Sequence, residues 1–367
     1  MKKKIIISIL ILAFVFPLII SSIKTANDKI QKENSEMSTS NGVSVKTFIY
    51  GTTETPRVLD PIDCTYRRSS IVIDQVAETL FTYNYSDPSL PLIPLLATGF
   101  EFNQTDKLNL TIYLRQGVIF HDGSEFNSTV AKWNFDRIGY WWNTTGLLPA
   151  NETQGDAYLL GYWEDGELPI FNRTEIVDNY TIKLVLNKNY TGGPNLLTHS
   201  TFAMLSKDST PFFRKLTLGT DQIIGTGPFI FDYYDIDNET SFHAFENYWG
   251  GTANIDDMLF KYYSNQTSLN LAVLAKDIHF IENPLPEYID VFEADPELLV
   301  VDDGMTDCTP RFLVFNNYTL NKTVRKALSY AINYTHITNV IQNGTSVQLK
   351  SPIPSGILYS NTTFNYP

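Results

Sequence analysis

Hydrophobic and polar positions alternate along most of this chain in short, readable blocks. Val45 to Tyr50 alternates weakly and ends at Gly51, which predicts a first strand. Val72, Val76 and Leu80, flanked by Ile73 and Ala77, share one face of a helix over Ser69–Leu80. Leu108, Leu110, Ile112 and Leu114 alternate with Asn109, Thr111 and Tyr113, the signature of a half-buried strand. Asp122-Gly123 supplies turn chemistry after Val118–Phe120, and Asn127 or Ser128 is placed to cap a helix running through Ile138. Ile182, Leu184 and Leu186 restore strand alternation, and Leu196–Leu205 reads as helical. Strands are expected around Met258–Tyr262 and Phe312–Phe315, and a helix over Leu269–Leu274. Asn321 caps a helix carrying Val324, Leu328 and Ile332, and a further helix around Ile337–Ile341 ends near Gly344.

Between these blocks, Asn143 to Asn172 is rich in Gly, Asn and acidic residues and reads as a surface insertion. At the amino terminus Lys2, Lys3 and Lys4 precede an uncharged apolar run, Ile5 to Ile23, closed by Lys24. Residues 1–23 are therefore a secretory signal or a retained membrane anchor, and either fate exports the body of the chain. No cysteine lies near the end of the run, which excludes a bacterial-type lipid anchor. Residues 24–44 are polar and read as a flexible tether.

Composition narrows the function classes. With 367 residues, 43% of them hydrophobic and 18% charged, the chain has enough apolar material for two or three ordered lobes. A net charge of −13 leaves no basic patch for phosphates, so nucleic acid is not an expected partner. Asn-X-Ser/Thr sequons recur through the body, with Asn84, Asn109, Asn143, Asn151, Asn172 and Asn238 the glycosylation candidates. Export with glycans and no lipid anchor leads us to expect an archaeal cell surface.

Enzyme signatures are missing. There is no Gly-X-Ser-X-Gly, His-Glu-X-X-His, phosphate loop or Gly-X-Gly-X-X-Gly. The five histidines lack metal spacing, so neither a metal site nor a cofactor is expected, and His121 in Phe-His-Asp-Gly reads as a turn cap or surface residue. Cys64 and Cys308 are the only cysteines, and a bridge between them is a candidate in an exported chain.

Several motifs occur in a telling order. They are Leu59-Asp60-Pro61, Glu78-Thr79-Leu80-Phe81, Pro91-Leu92-Ile93-Pro94-Leu95-Leu96-Ala97 and Tyr113-Leu114-Arg115-Gln116-Gly117-Val118-Ile119-Phe120-His121-Asp122-Gly123. Gly225-Thr226-Gly227-Pro228-Phe229, Asn247-Tyr248-Trp249-Gly250-Gly251, Val324-Arg325-Lys326-Ala327-Leu328 and Ser351-Pro352-Ile353-Pro354 follow. Together they resemble the extracytoplasmic solute-binding proteins of the peptide/nickel class, family 5, which deliver ligands to ABC importers. The resemblance implies an α/β fold of the periplasmic-binding-protein type II, with two lobes, a hinge and an extra subdomain. It assigns 45–80 and 201–307 to lobe I, 81–200 to an inserted subdomain, and 308–367 to the start of lobe II. Family members usually continue beyond the point matching Asn365-Tyr366-Pro367, so the second lobe is expected to be incomplete. One local departure is Ala275-Lys276-Asp277-Ile278-His279 where the family often has Gly-Glu-Ile-Asp.

The implied function is capture of a peptide or similar small solute, by a monomer, for delivery to a membrane permease; it is not catalysis. A glycosylated structural or adhesion protein on the same scaffold is the alternative. By resemblance the loop after Leu-Asp-Pro borders the cleft, which nominates Cys64, Thr65, Tyr66, Arg67 and Arg68 as ligand contacts. Tyr66 would stack, and an arginine would meet a carboxylate. Thr309 and Arg311, beside Pro310, border the cleft in the same way. Gly225 and Gly227 are expected to supply unusual backbone angles, Tyr248 and Trp249 to pack a core, and Arg325 to serve a structural ion pair.

Overall fold

The computed structural model describes residues 46–301 except 88, 106, 145–147, 149–154 and 156–168, and then 313–342, 344, 346–349, 351 and 363. The amino-terminal segment, Asn151, Cys308, Thr309 and Arg311 lie outside the described residues. Two compact units divide the described chain. One holds 46–265 with 278–280, and the other holds 266–277 and the residues from 281 onward.

The first unit is built on two sheets. One runs β11-β1-β10-β9-β8, with β1 at Thr47–Thr52, β8 at Phe229–Asp235, β9 at Glu239–Ala244, β10 at Asp257–Tyr262 and β11 at Phe280–Ile281. β1 and β10 pair in parallel with Tyr50 opposite Phe260, and the β10-β9 and β9-β8 pairs are antiparallel. Helix α1 (Arg67–Val76) lays Ile71, Val72, Ile73 and Val76 into one core with Tyr50, Phe229, Phe231, Phe242, Met258 and Phe260. The other sheet is antiparallel, β4-β5-β7-β6, with β4 at Ala97–Phe102, β5 at Asn109–Leu114, β6 at Phe171–Asp178 and β7 at Thr181–Leu186. Helix α2 (Ser128–Trp141) packs Val130, Phe135, Ile138 and Trp141 into a second core with Leu110, Ile112, Leu114, Ile182 and Leu184. Between α1 and β4, strands β2 (Phe81–Tyr83) and β3 (Leu92–Pro94) form a short antiparallel pair.

Most pattern-based elements are present. Asn127 caps α2, its side chain accepting from the N–H groups of Thr129 and Val130, and Leu110, Ile112 and Leu114 are the buried face of β5. Leu196–Leu205 differs from the expected helix. Only Gly193–Leu196 and Ser200–Phe202 make single helical turns, and the chain then runs extended. The reason is that two cores must be filled from opposite sides. Phe202 and Met204 enter the α2 core, whereas Ala203 and Leu205 enter the α1 core, a period of two that a helix cannot supply. Backbone bonds hold that course: Met204 N–H donates to Glu78 O (2.8 Å) and Leu205 N–H to Asn134 Oδ1 (3.0 Å).

A buried ion pair joins the elements of the two cores. Arg137 of α2 grips both oxygens of Asp60, at 2.9 and 2.5 Å, and Asp60 also accepts from the N–H groups of Leu216 and Ile62. Burying both charges is tolerable because every carboxylate oxygen is occupied.

In the second unit, α3 (Gln266–Leu274) and α4 (Pro286–Ala294) contribute Leu269, Ala272 and Phe292 as buried apolar residues. Helix α5 (Lys322–Ala331) is capped by Asn321, as expected, and has no buried residue. Arg325 donates to Leu320 O (2.5 Å), an intrachain cap where an ion pair was expected. Leu313–Phe315 is not a strand, and Leu313 and Val314 are exposed: no described strand offers the segment a ladder.

Candidate functional site

The nominated segment leads into α1. Asp60 caps the turn Pro61–Asp63, and Cys64 follows. Cys64 is a free thiol, fully buried, 3.1 Å from Ser70 Oγ. Burial pushes the thiol up to about 12, so it stays protonated. A side chain with no exposed surface cannot line a ligand site, which removes Cys64 from the contact set. The candidate bridge to Cys308 is not formed at the Cys64 end, and Cys308 itself lies outside the described residues. Arg68 is also committed elsewhere: Nε donates to Glu54 (2.8 Å) and Nη1 to Tyr50 OH. Thr65, Tyr66 and Arg67 are exposed, and the Arg57 guanidinium lies 4.3 Å from the centroid of the Tyr66 ring.

One turn after Ser70, α1 presents Asp74. Its carboxylate accepts from Ser200, and burial raises it to about 7. Tyr85 stands close enough for the Asp74 charge to help raise its phenol to about 12, a shift caused first by burial. Both residues keep part of their surface exposed.

Beyond α1 the motifs converge on one carboxylate. Glu78 is buried and accepts from Thr226 Oγ1 (2.8 Å), Tyr248 OH (2.7 Å) and Trp249 Nε1 (2.8 Å). Burial raises it to about 7 although all three bonds favour the anion. Arg115 covers the Trp249 ring at 4.2 Å and donates through Nε to Leu95 O (2.7 Å). Tyr248 and Trp249 are thus polar donors as well as packing residues. Gly225 and Gly227 are needed for contact and not for unusual angles. Neither has a positive φ, and a Cβ would lie 2.1 Å from Val76 O at Gly225 and 2.7 Å from Gly227's nearest atom, Gln75 O. His121 completes the cluster. Gly227 O can only accept, so His121 Nε2 carries the proton of their 2.9 Å bond. The ring stands edge-on to Phe245 at 4.9 Å, and burial holds it down to about 4.

Every motif of this cluster has a structural duty, which is a reason for a family to share them. The sequence profile of the bacterial extracellular solute-binding proteins, family 5 (Middle), matches residues 91–367. The chain belongs to this family. Family 5 proteins bind solutes and are not enzymes.

Among relatives, the glutathione-binding protein GsiB of Pectobacterium atrosepticum is 27% identical over 82% of this chain and 55% of its own length. The dipeptide-binding protein of Escherichia coli is 27% identical over 87% of this chain and 60% of its own length. This family 5 chain therefore spans a little over half the length of these relatives. Among solved structures, DppA from Helicobacter pylori in complex with the peptide STSA superposes with a TM-score of 0.71 at 22% identity, covering 88% of this chain and 64% of that one. NikZ from Campylobacter jejuni in complex with Ni(L-His) gives 0.65 at 18% identity, covering 84% and 58%. The shared architecture is the type II periplasmic-binding-protein fold.

Of the sequon candidates in this family 5 chain, Asn172 and Asn238 are exposed, and Asn84, Asn109 and Asn143 are partly buried. Among the described residues no helix is long and apolar enough to cross a membrane, and no group of three or more His, Cys, Asp or Glu side chains could hold a metal ion.

Proposed function

We propose that this chain is the solute-capturing part of the substrate-binding component of an ABC importer, with a peptide or a solute of similar size as its ligand. The family match over residues 91–367 carries this reading, and the similarity to the dipeptide-binding protein of Escherichia coli supports the choice of peptide. The chain is exported by its amino-terminal segment, carries glycans at exposed sequons such as Asn172 and Asn238, acts as a monomer and hands its ligand to a membrane permease. Of the nominated contacts, Thr65, Tyr66 and Arg67 remain as the ligand-facing residues of the first unit, with Thr309 and Arg311 as candidates from the crossover.

Extended peptides suit such a protein because backbone hydrogen bonds recognise atoms common to all sequences. Ligand-driven closure requires preference for one state; a shift from 1:99 to 99:1 takes about 5.5 kcal/mol. The test is native mass spectrometry of the full-length exported protein, followed by thermal melts with short peptides. Co-purified peptide and a ligand-dependent rise in Tm are expected. A protein that carries no small solute and whose Tm no peptide moves would instead be a glycosylated structural surface protein.

A further inference from the structure

Among the described residues the second sheet has two open flanks. Its order is β4-β5-β7-β6, so β4 pairs only with β5 and β6 only with β7. β6 is eight residues long, and near its end Ile176 and Val177 are 46% and 58% exposed. On β4, Phe100 is exposed. A flank strand with one row of backbone N–H and C=O groups unpaired is a template for another chain, and exposed apolar side chains favour the pairing. Proteins blunt such flanks with charge, proline or bulges. Pairing irregularities at Asn172 and Val177 loosen the β6 ladder, yet Ile176 and Val177 keep about half their surface open.

The same two flanks carry sequons. Asn172-Arg173-Thr174 lies at the start of β6 and Asn179-Tyr180-Thr181 just past its end, so the strand is bracketed. Asn103-Gln104-Thr105 directly follows β4. The antiparallel register brings Asn103 and Asn172 to one end of the sheet. There Phe102 stands opposite Leu110, Asn109 opposite Val185, and Leu186 opposite Phe171. Asn103, Asn172 and Asn179 are all exposed. Their hydrogen bonds are compatible with a sugar on the amide nitrogen. Asn103 Oδ1 accepts from Thr105 N–H (2.8 Å), a bond that leaves the nitrogen out of the turn. Asn172 Nδ2 donates one hydrogen to Asn187 Oδ1 (3.0 Å), and a glycosylated amide nitrogen keeps one hydrogen for that bond.

We propose that Asn103, Asn172 and Asn179 carry N-linked glycans that screen both flanks of this sheet from pairing with a second copy of the chain. The donor is an oligosaccharide held on a lipid phosphate. The asparagine Nδ2 bonds to the anomeric carbon, the bond from that carbon to the phosphate oxygen breaks, the lipid phosphate leaves with the electron pair, and the amide gives up one proton. Paired strands lie about 4.8 Å apart, which leaves no room for a hydrated glycan between them. The assignment rests on the exported, glycan-bearing reading above and adds which sequons are used and what the sugars do.

The test begins with glycopeptide mapping of the full-length protein isolated from its own cells. Sugar is expected on Asn103 and on Asn172 and Asn179. A bare Asn103, or bare asparagine at both Asn172 and Asn179, overturns the assignment; glycan at Asn238 would then leave the glycoprotein reading standing, and a sugar-free protein removes both. The second step compares the wild type with the Asn103→Gln, Asn172→Gln, Asn179→Gln triple variant from the same cells, by sedimentation over a concentration series. The wild type should stay at monomer mass, and the variant should at least double its mean mass with Tm unchanged. Adding Ile176→Lys and Val177→Lys to the variant should restore the monomer, because like charges on a flank strand repel a second copy. A triple variant that stays monomeric, or whose association the lysines leave unchanged, overturns the screening role. Where the triple variant does not fold, the Asn172→Gln, Asn179→Gln pair makes the same comparison for β6. Peptide titration separates this result from the solute-capture reading: the variants should bind as the wild type does, and a wild type that binds no peptide refutes only that reading.

Discussion

Glu78 shows most clearly how one residue can serve a family's motifs. Three donors from two separate loops converge on it, so Glu78→Ala strands buried donors that each cost about 1–3 kcal/mol. Its pH behaviour follows from the raised carboxyl. Between the ordinary value of 4.5 and about 7 the folded chain holds a proton that the unfolded chain releases, so the Glu78 contribution to stability falls as pH rises through this window. His121 works the other way. Its folded value of about 4 lies below the ordinary 6.5, so its contribution is lost as pH falls from about 6.5 to 4. Glu78→Gln removes only the first slope, and the stability difference, variant minus wild type, should therefore rise by up to about 3 kcal/mol from pH 4.5 to 7. Urea denaturation across that range checks it; a difference that stays flat or falls would mean Glu78 is ionised throughout. At the proposed ligand face, Tyr66 keeps 41% of its surface exposed beside Arg57, and a group stacked on it would gain about 1 kcal/mol. Tyr66→Ala should weaken peptide binding roughly fivefold with no change in Tm, as read by calorimetric titration.

At the scale of elements, the end of α1 is decided by a neighbour and not by its own propensity. The apolar spacing would carry the helix to Leu80, but the helix stops at Val76 and Ala77 is already extended. The Gly225–Gly227 loop lies directly on this exit, and Gly227 N–H donates to Val76 O (2.9 Å). Gly225→Ala would place a methyl group 2.1 Å from Val76 O, against backbone that cannot rotate away. A loss of about 3 kcal/mol or more is expected, at the overpacking extreme; a denaturation midpoint within error of wild type would show that the loop can retreat. Helix α5 presents the opposite case. Its ten residues are capped and strongly patterned, yet Val324 and Leu328 stay 39% and 41% exposed. A helix this short is marginal in water without tertiary packing. Amide exchange over 322–331 in the chain as it stands should be close to free-peptide rates, whereas α1 and α2 should be protected to the global limit. Equal protection in all three would contradict this.

For the molecule as a whole, apolar burial is distributed unevenly between the two units. The unit of 46–265 and 278–280 contains both packed cores. In the other unit the buried apolar residues among those described are Leu269, Ala272, Phe292 and Val300. Fully burying one such side chain is worth about 1.5–3 kcal/mol, against a typical domain stability of about 5–15 kcal/mol. Denaturation followed by near-UV dichroism, with amide exchange of the second unit as the other probe, should give two transitions, the second unit melting first. Coincident transitions would show that the units unfold together.

Local information carried the sequence reading a long way. Alternation at Leu110, Ile112 and Leu114, the Asn127 and Asn321 caps and the order of the motifs are properties of neighbouring residues, and side-chain periodicity and capping operate over a few positions. They were enough for the α/β class and for the family. What they could not supply was any partner distant in the chain. Asp60 meets Arg137, Glu78 meets Tyr248, and Gly225 meets Val76 only because two cores fold around them. The same holds for Leu196–Leu205, whose apolar residues suit a helix until two cores demand them on alternate sides. The nominated segment divides along this line: its motif was legible in the sequence, but the burial of Cys64 and the pairing of Arg68 with Glu54 depend on which groups the tertiary structure brings near.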